Sequence, residues 1–156
     1  MVGQRVLAIA LMIVGCSTIA LSKDIALVSN KTNTVTVVSL TELVKICKGQ
    51  TNRWPDGKPV TFVIRDPASP DMRLVLEKVY GMSKSEVTAL ITAANHGRVN
   101  HPAIVIAGSD EDLVRKVETT PGAVGLVDVY SITGGVTVLR VGGKLPLEPG
   151  YALHGN

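Results

Sequence analysis

The chain has 156 residues, 46% hydrophobic and 19% charged, with 16 basic residues against 13 acidic ones for a formal charge of +3. That balance suits one globular domain with one sizeable core. Aromatic residues make up only 3% and no basic run exceeds two residues, which argues against a nucleic-acid surface or a carbohydrate-stacking platform. Two cysteines exclude a disulfide-dense fold and the usual zinc clusters.

Residues 1–5 carry a single charge, Arg5, and residues 6–14 form an unbroken apolar run of nine. Such a run is too short to span a bilayer as a helix and has the length of a secretory signal core. Residues 1–22 are therefore read as an export segment and residues 23–156 as one α/β domain. Two processing sites compete. Ile13-Val14-Gly15-Cys16 has the form of a lipobox, in which Cys16 is acylated and becomes the first residue. Ala20-Leu21-Ser22 has the form of a small-x-small cleavage site that leaves Lys23 first. The second is favoured, because a lipid on Cys16 leaves a tether of only eight residues, 17–24, before the first strand. Either site places the domain outside the cytoplasm.

Residues 24–29 (DIALVS) are apolar and β-branched and end at a turn-prone Asn30-Lys31-Thr32-Asn33, which predicts a strand. Ser39-Leu40-Thr41-Glu42 is a capping box, with Leu40, Leu43, Val44 and Cys47 on one helical face and Gly49 beyond the end. Cys47 is then a buried, inert thiol rather than a nucleophile. Trp54-Pro55-Asp56-Gly57 is a tight turn. Residues 60–64 (VTFVI) read as a strand buried on both faces. Ser69 and Pro70 open a helix that runs to Gly81, with Ser69 as its cap and Pro70 at the first helical position. A second capping box, Ser83-Lys84-Ser85-Glu86, starts a helix to about Asn95.

Residues 103–107 (AIVIA) predict another buried strand, and Ser109 caps an acidic-first helix through Val117. Residues 121–127 are a turn and a short strand, residues 136–141 (VTVLRV) a last strand, and residues 146–153 a loop with an edge pairing. Alternation of strands and helices predicts an α/β domain with a mixed, mostly parallel sheet flanked by helices.

Several chemistries lack their motifs. Gly142-Gly143-Lys144 has neither the upstream glycine nor the following helix of a phosphate loop. Gly-x-Ser-x-Gly and His-Glu-x-x-His do not occur. His96 and His101 lie in a polar loop without a third ligand, so they are read as solvated or turn-capping, with no metal. Arg65-Asp66-Pro67-Ala68-Ser69 stands apart, at the end of a buried strand and the start of a helix. Open α/β sheets take ligands at that end of their strands, and free N–H groups of a helix start favour an oxyanion. Arg65 adds a fork of donors and Ser69 a hydroxyl. The competing reading has Ser69 as a plain cap and Arg65 paired with Asp66, Asp71 or Glu77.

These residues fall in a recognisable order: Leu40-x-Glu42-Leu43-x-x-Ile46, Lys48-Gly49, Trp54-x-Asp56-Gly57, Arg65-x-x-x-Ser69-x-x-x-Arg73, Pro121-Gly122-Ala123-Val124-Gly125 and Gly143-Lys144-x-Pro146. In that order the chain resembles the phosphate-binding substrate-binding proteins of ABC transporters, a periplasmic-binding-protein-like (type II) family. It is most similar to the short single-lobe members, from about Ile25 to Leu153. The resemblance implies a single lobe that is not an enzyme, needs no cofactor and binds phosphate or a related oxyanion weakly through Arg65, Ser69 and Arg73. It implies as partner the membrane component of an ABC transporter or another envelope protein, and no nucleic acid. The family's Gly and Thr after the serine are here Pro70, which has no N–H, and Asp71, which is negative. That departure keeps open a second reading, an envelope interaction protein that retains the lobe as a scaffold.

The processing sites make a direct expectation. Intact-mass measurement of the protein from its native host gives a chain beginning at acylated Cys16 or at Lys23. A chain still beginning at Met1 overturns the export reading.

Overall fold

The computed structural model describes residues 23–155; residues 1–22, read from the sequence as an export segment with two candidate processing sites and the lipidation candidate Cys16, lie outside the described residues. Strand β1 (Ile25–Asn30) is followed by a two-residue strand β2 (Val37–Val38), helix α1 (Leu40–Cys47) and strand β3 (Thr61–Arg65). Residues 70–80 then form one helix of changing pitch: a 3-10 turn (Pro70–Met72), an α turn α2 (Arg73–Val75) and a π turn (Leu76–Tyr80). Helix α3 (Lys84–Ala94), strand β4 (Ile104–Ala107), helix α4 (Asp110–Thr119) and strands β5 (Ala123–Asp128), β6 (Val136–Val138) and β7 (Arg140–Val141) complete the order.

The main sheet runs β4-β3-β5-β1-β6. β3 is parallel to β4 and to β5, whereas β1 is antiparallel to β5 and to β6. Four strands thus point one way and β1 alone is reversed, so the expected mixed, mostly parallel sheet is present. The helical crossovers between β3 and β4 and between β4 and β5 are what parallel strands of one sheet require.

Strand side chains alternate between two cores. Ile25, Leu27, Phe62, Ile64, Val124 and Leu126 face α1, α3 and the 70–80 helix. Ala26, Val28, Val63 and Val127 face α4, which contributes Leu113, Val114 and Val117. At Gly125 a Cβ would sit 2.8 Å from Leu113 Cδ2 and 3.0 Å from Val63 O, so α4 approaches β5 closely only because that position has no side chain.

The helix starts follow their sequence chemistry. Ser39 accepts from Glu42 N and Glu42 returns the bond to Ser39 N, a complete capping box. Ser83 Oγ accepts from Glu86 N at 3.3 Å, and Ser109 Oγ from Asp112 N at 3.0 Å. Gly81 ends the 70–80 helix in the left-handed conformation at φ 59°, where a residue without Cβ is unstrained.

Four expectations need correction. Leu40 is 41% exposed, and Ile46 takes the buried place beside Leu43 and Cys47. Residues 103–107 are not buried throughout, because β4 is an edge strand and Ile106 is 46% exposed. Residues 136–141 are not one strand. β6 pairs with β1, the strand is interrupted at fully buried Leu139, and β7 pairs in parallel with β2, which the sequence did not predict. The tail 146–153 forms no strand; it is tied to β1 by the Ile25 N–H donating to Leu153 O and the Tyr151 hydroxyl donating to Ile25 O.

Cys47 is fully buried and free, as read from its helical face, and burial alone pushes its thiol well above the ordinary range. The Tyr80 hydroxyl donates to Cys47 O at 2.7 Å, and burial raises that phenol too. Cys47→Ser is expected to lower unfolding free energy by about 1–3 kcal/mol, because it buries a hydroxyl with no assigned partner. Denaturant titration checks the loss, and rapid labelling of the native thiol would contradict the burial.

Candidate anion-binding site

Strands β3, β4 and β5 end on one side of the sheet, and their ends meet around Arg65. Arg65 is the last residue of β3, Asp110 the first of α4 after β4, and Ser131 lies just beyond β5. Arg65 Nη1 donates to Asp110 Oδ1 at 2.6 Å and to Asp71 Oδ2 at 3.2 Å. The Ser131 hydroxyl donates to the other Asp110 oxygen at 2.8 Å. The side chains of Arg65 and Asp110 are 19% and 22% exposed, whereas that of Asp71 is 54% exposed. Arg65 Nε is fully buried and has no hydrogen-bond partner among the described residues.

The helix start next to Arg65 is already supplied with acceptors. Asp66 Oδ1 accepts from Ala68 N, Asp66 O from Ser69 N, and Ser69 O from Met72 N. Pro70 has no N–H to offer. Ser69 stands at the cap position, but its hydroxyl makes no capping bond. The first turn is 3-10, whose tighter i→i+3 bonds consume the donors that an α-helical start leaves free.

Of the three candidate residues the structure brings two together. Ser69 and Arg73 line one groove with Lys84 and Glu77, and Arg65 is not on it. Arg73 also borders a second groove with Lys23, Asp71, Lys78 and Asp128. There Lys23 Nζ lies 3.1 Å from Asp128 Oδ2, and that hydrogen bond raises the affinity of Lys23 for its proton. The competing pairing of Arg65 with Asp71 is realised; pairing with Asp66 or Glu77 is not among the ion pairs of the described residues.

Asp110, Ser131 and Lys84 are neighbours of the candidate residues that residue-by-residue reading missed. Asp110 lies 45 positions from Arg65, and its place in an acidic helix start explained it locally. The rule that strand ends share one rim contains the signal, since Ser109-Asp110 directly follows the strand 103–107. His96 and His101 are exposed, as expected of solvated residues.

The pair at the strand ends should be strongly coupled. A double-mutant cycle on Arg65 and Asp110 is expected to give about 1–3 kcal/mol of coupling, because both groups are largely desolvated and charge-assisted. The same cycle on Arg65 and Asp71 is expected to give under about 1 kcal/mol, because Asp71 is solvated. Equal couplings would contradict this account.

A family profile described as a PBP superfamily domain matches residues 19–150. Among curated proteins no relative matches the sequence significantly. Among solved structures, the fold is similar to an ABC-type phosphate transport receptor from Vibrio cholerae, with a TM-score of 0.69 and 18% identity over 86% of this chain and 54% of that one. It is similar to a putative phosphate ABC transporter substrate-binding protein with bound phosphate from Clostridium perfringens, with a TM-score of 0.62 and 23% identity over 78% of this chain and 46% of that one. It is also similar to PstS from Borrelia burgdorferi, with a TM-score of 0.66 and 16% identity over 86% and 55%. The chain spans about half the length of these structures. With its sheet order, its two helical layers and a profile match over most of its length, the chain belongs to the PBP superfamily.

Proposed function

We propose that the protein is an exported, non-enzymatic solute-binding lobe whose guest is phosphate or a related oxyanion, held weakly by Arg65, Ser69 and Arg73. The observation that carries this reading is Arg65. At the meeting point of three strand ends its guanidinium already holds two carboxylate oxygens through Nη1. A planar fork in that state is suited to oxyanion geometry. Ser69 contributes a hydroxyl without a capping bond and Arg73 a second cation, both on a groove that Arg65 itself does not line. Solved structures of similar fold are described as phosphate-transport receptors and phosphate-binding proteins. On this reading the domain works outside the cytoplasm, after loss of residues 1–22 or with a lipid on Cys16, beside an ABC transporter membrane component.

Weak affinity follows from the same geometry. An incoming anion must displace or share Arg65 with Asp110, and it meets Pro70, which has no N–H to donate, and the negative Asp71. A second reading, an envelope interaction protein that keeps the lobe as a scaffold, draws on that internal pairing, because Asp110 occupies the place a guest would take.

Calorimetric titration with phosphate and sulfate separates the two. Binding is expected in the millimolar range. Pro70→Gly with Asp71→Thr should strengthen it by restoring a backbone donor and removing a negative charge. Arg65→Gln should weaken it roughly ten- to hundredfold, a charge-assisted bond being worth about 1.5–3 kcal/mol. No heat at millimolar phosphate, with none created by the double substitution, would leave the scaffold reading in its place.

A further inference from the structure

The end of the sheet opposite Arg65 carries a second cationic concavity. The segment leading into β3 and the loop leading into β4 enclose a groove of about 440 Å³. Its polar lining is Asn52, Arg53, Thr61, Arg98, Asn100 and His101, and it contains no carboxylate. The groove shared by Ser69 and Arg73, by contrast, includes Glu77. The two arginines rest on neutral acceptors: Arg53 Nη1 donates to Gly57 O and Arg98 Nη2 to Asn52 Oδ1, each at 2.8 Å. No ion pair joins either arginine to a carboxylate among the described residues. Asp56, in the same turn as Arg53, is taken by Lys58 at 2.9 Å, which holds its carboxyl below the usual range.

Both walls are anchored before any guest arrives. An antiparallel bridge joins Arg53 to Pro59, and buried Trp54 donates its Nε1–H to Gly122 O at 2.8 Å. Across the groove the Asn95 side chain grips Ile104 on both backbone groups, donating to its carbonyl at 2.8 Å and accepting from its N–H at 3.0 Å. These two hydrogen bonds close the loop bearing Arg98 and His101, which turns at Gly97 with φ 74°. Fixed walls lower the ordering cost of a guest.

Each arginine has five N–H donors and spends one on the neutral acceptor named above. Two such forks on a concavity without a competing carboxylate are suited to a phosphate group, whose oxygens match the fork. The groove also has an apolar side, formed by Val60 and by Val99, which is 93% exposed. Its volume lies in the range of small-molecule sites and leaves room for more than a bare ion. We propose that this groove is a separate binding site for a phosphate ester, with the phosphate on Arg53 and Arg98 and the organic part toward Val60 and Val99. The site is independent of the strand-end reading and stands or falls without it.

The source of such a group is a soluble phosphomonoester or an anionic lipid headgroup, and one titration distinguishes them. Backbone amide shifts of the processed, ¹⁵N-labelled protein are followed with glycerol 3-phosphate, with inorganic phosphate and with phosphatidylglycerol vesicles. Shifts or broadening at Arg53, Gly97, Arg98 and His101 with glycerol 3-phosphate identify the soluble source; the same response to vesicles alone identifies the lipid. Arg53→Gln is expected to weaken the effective probe by about tenfold, and Arg53→Gln with Arg98→Gln to abolish the response. Retained Trp54 fluorescence and melting temperature verify the fold, and the single variant at exposed Arg53 serves if the double one fails it. Inorganic phosphate binding as tightly as the ester overturns the ester assignment. Responses confined to Arg65, Ser69 and Arg73, or none with any probe, overturn the site.

Discussion

Burial of β1, β3 and β5 on both faces is the constraint from which the rest of the architecture follows. Their side chains point alternately into two cores, so each face must be covered by helices over the full width of the central strands. One layer is deep, built from α1, the 70–80 helix and α3 around Phe62, Leu27 and Leu43. The other is a single helix, α4, and one helix covers its face only by lying close. Gly125 supplies that closeness, since any side chain there would press on Leu113 and the backbone of β3.

The reversed strand β1 brings the start of the domain to the rim where the parallel strands end. Asp24, only 1% exposed, is held there by three groups from the tail. The Leu147 N–H donates to it at 2.7 Å, the Gly155 N–H at 3.4 Å, and His154 Nδ1 lies 2.6 Å away. A buried carboxylate is tolerated only when its oxygens are satisfied in this way. Leu147 adopts φ 71° to make its bond, a left-handed conformation costing a leucine about 1–2 kcal/mol, which the bond to Asp24 helps to offset. The two ends of the domain are thereby joined by polar contacts as well as by the packing of Tyr151 and Leu153.

Charge is distributed unequally between the two ends of the sheet. At the strand-end rim cations and carboxylates alternate and pair, Arg65 with Asp110 and Asp71, Lys23 with Asp128. At the other end Arg53 and Arg98 meet only neutral oxygens among the described residues. The first arrangement cancels much of its own field, and the second leaves its field open to an anion. Net charge, +3 over the chain, conceals this difference entirely.

Much of the chain's local structure was legible from residues alone. A capping box placed the start of α1, a capping serine that of α3, where Glu86 does not return the bond, Gly81 the stop of the 70–80 helix, and the apolar runs β1, β3 and β4, because these signals act over three or four neighbouring residues. The helical face of Cys47 likewise predicted its burial. What the sequence could not determine depended on partners distant along the chain. The division of residues 136–141 arose because β6 and β7 answer to different strands, β1 and β2. Ile106 is exposed because β4 lies at an edge, a matter of sheet order rather than composition. Ser69 and Arg73 came to share a groove without Arg65, whose guanidinium is held by Asp110 from 45 positions away. Sequence by itself thus determined where the elements form, since their hydrogen bonds and caps are local; only the tertiary structure decided which charges meet, since that depends on the order in which strands stand side by side.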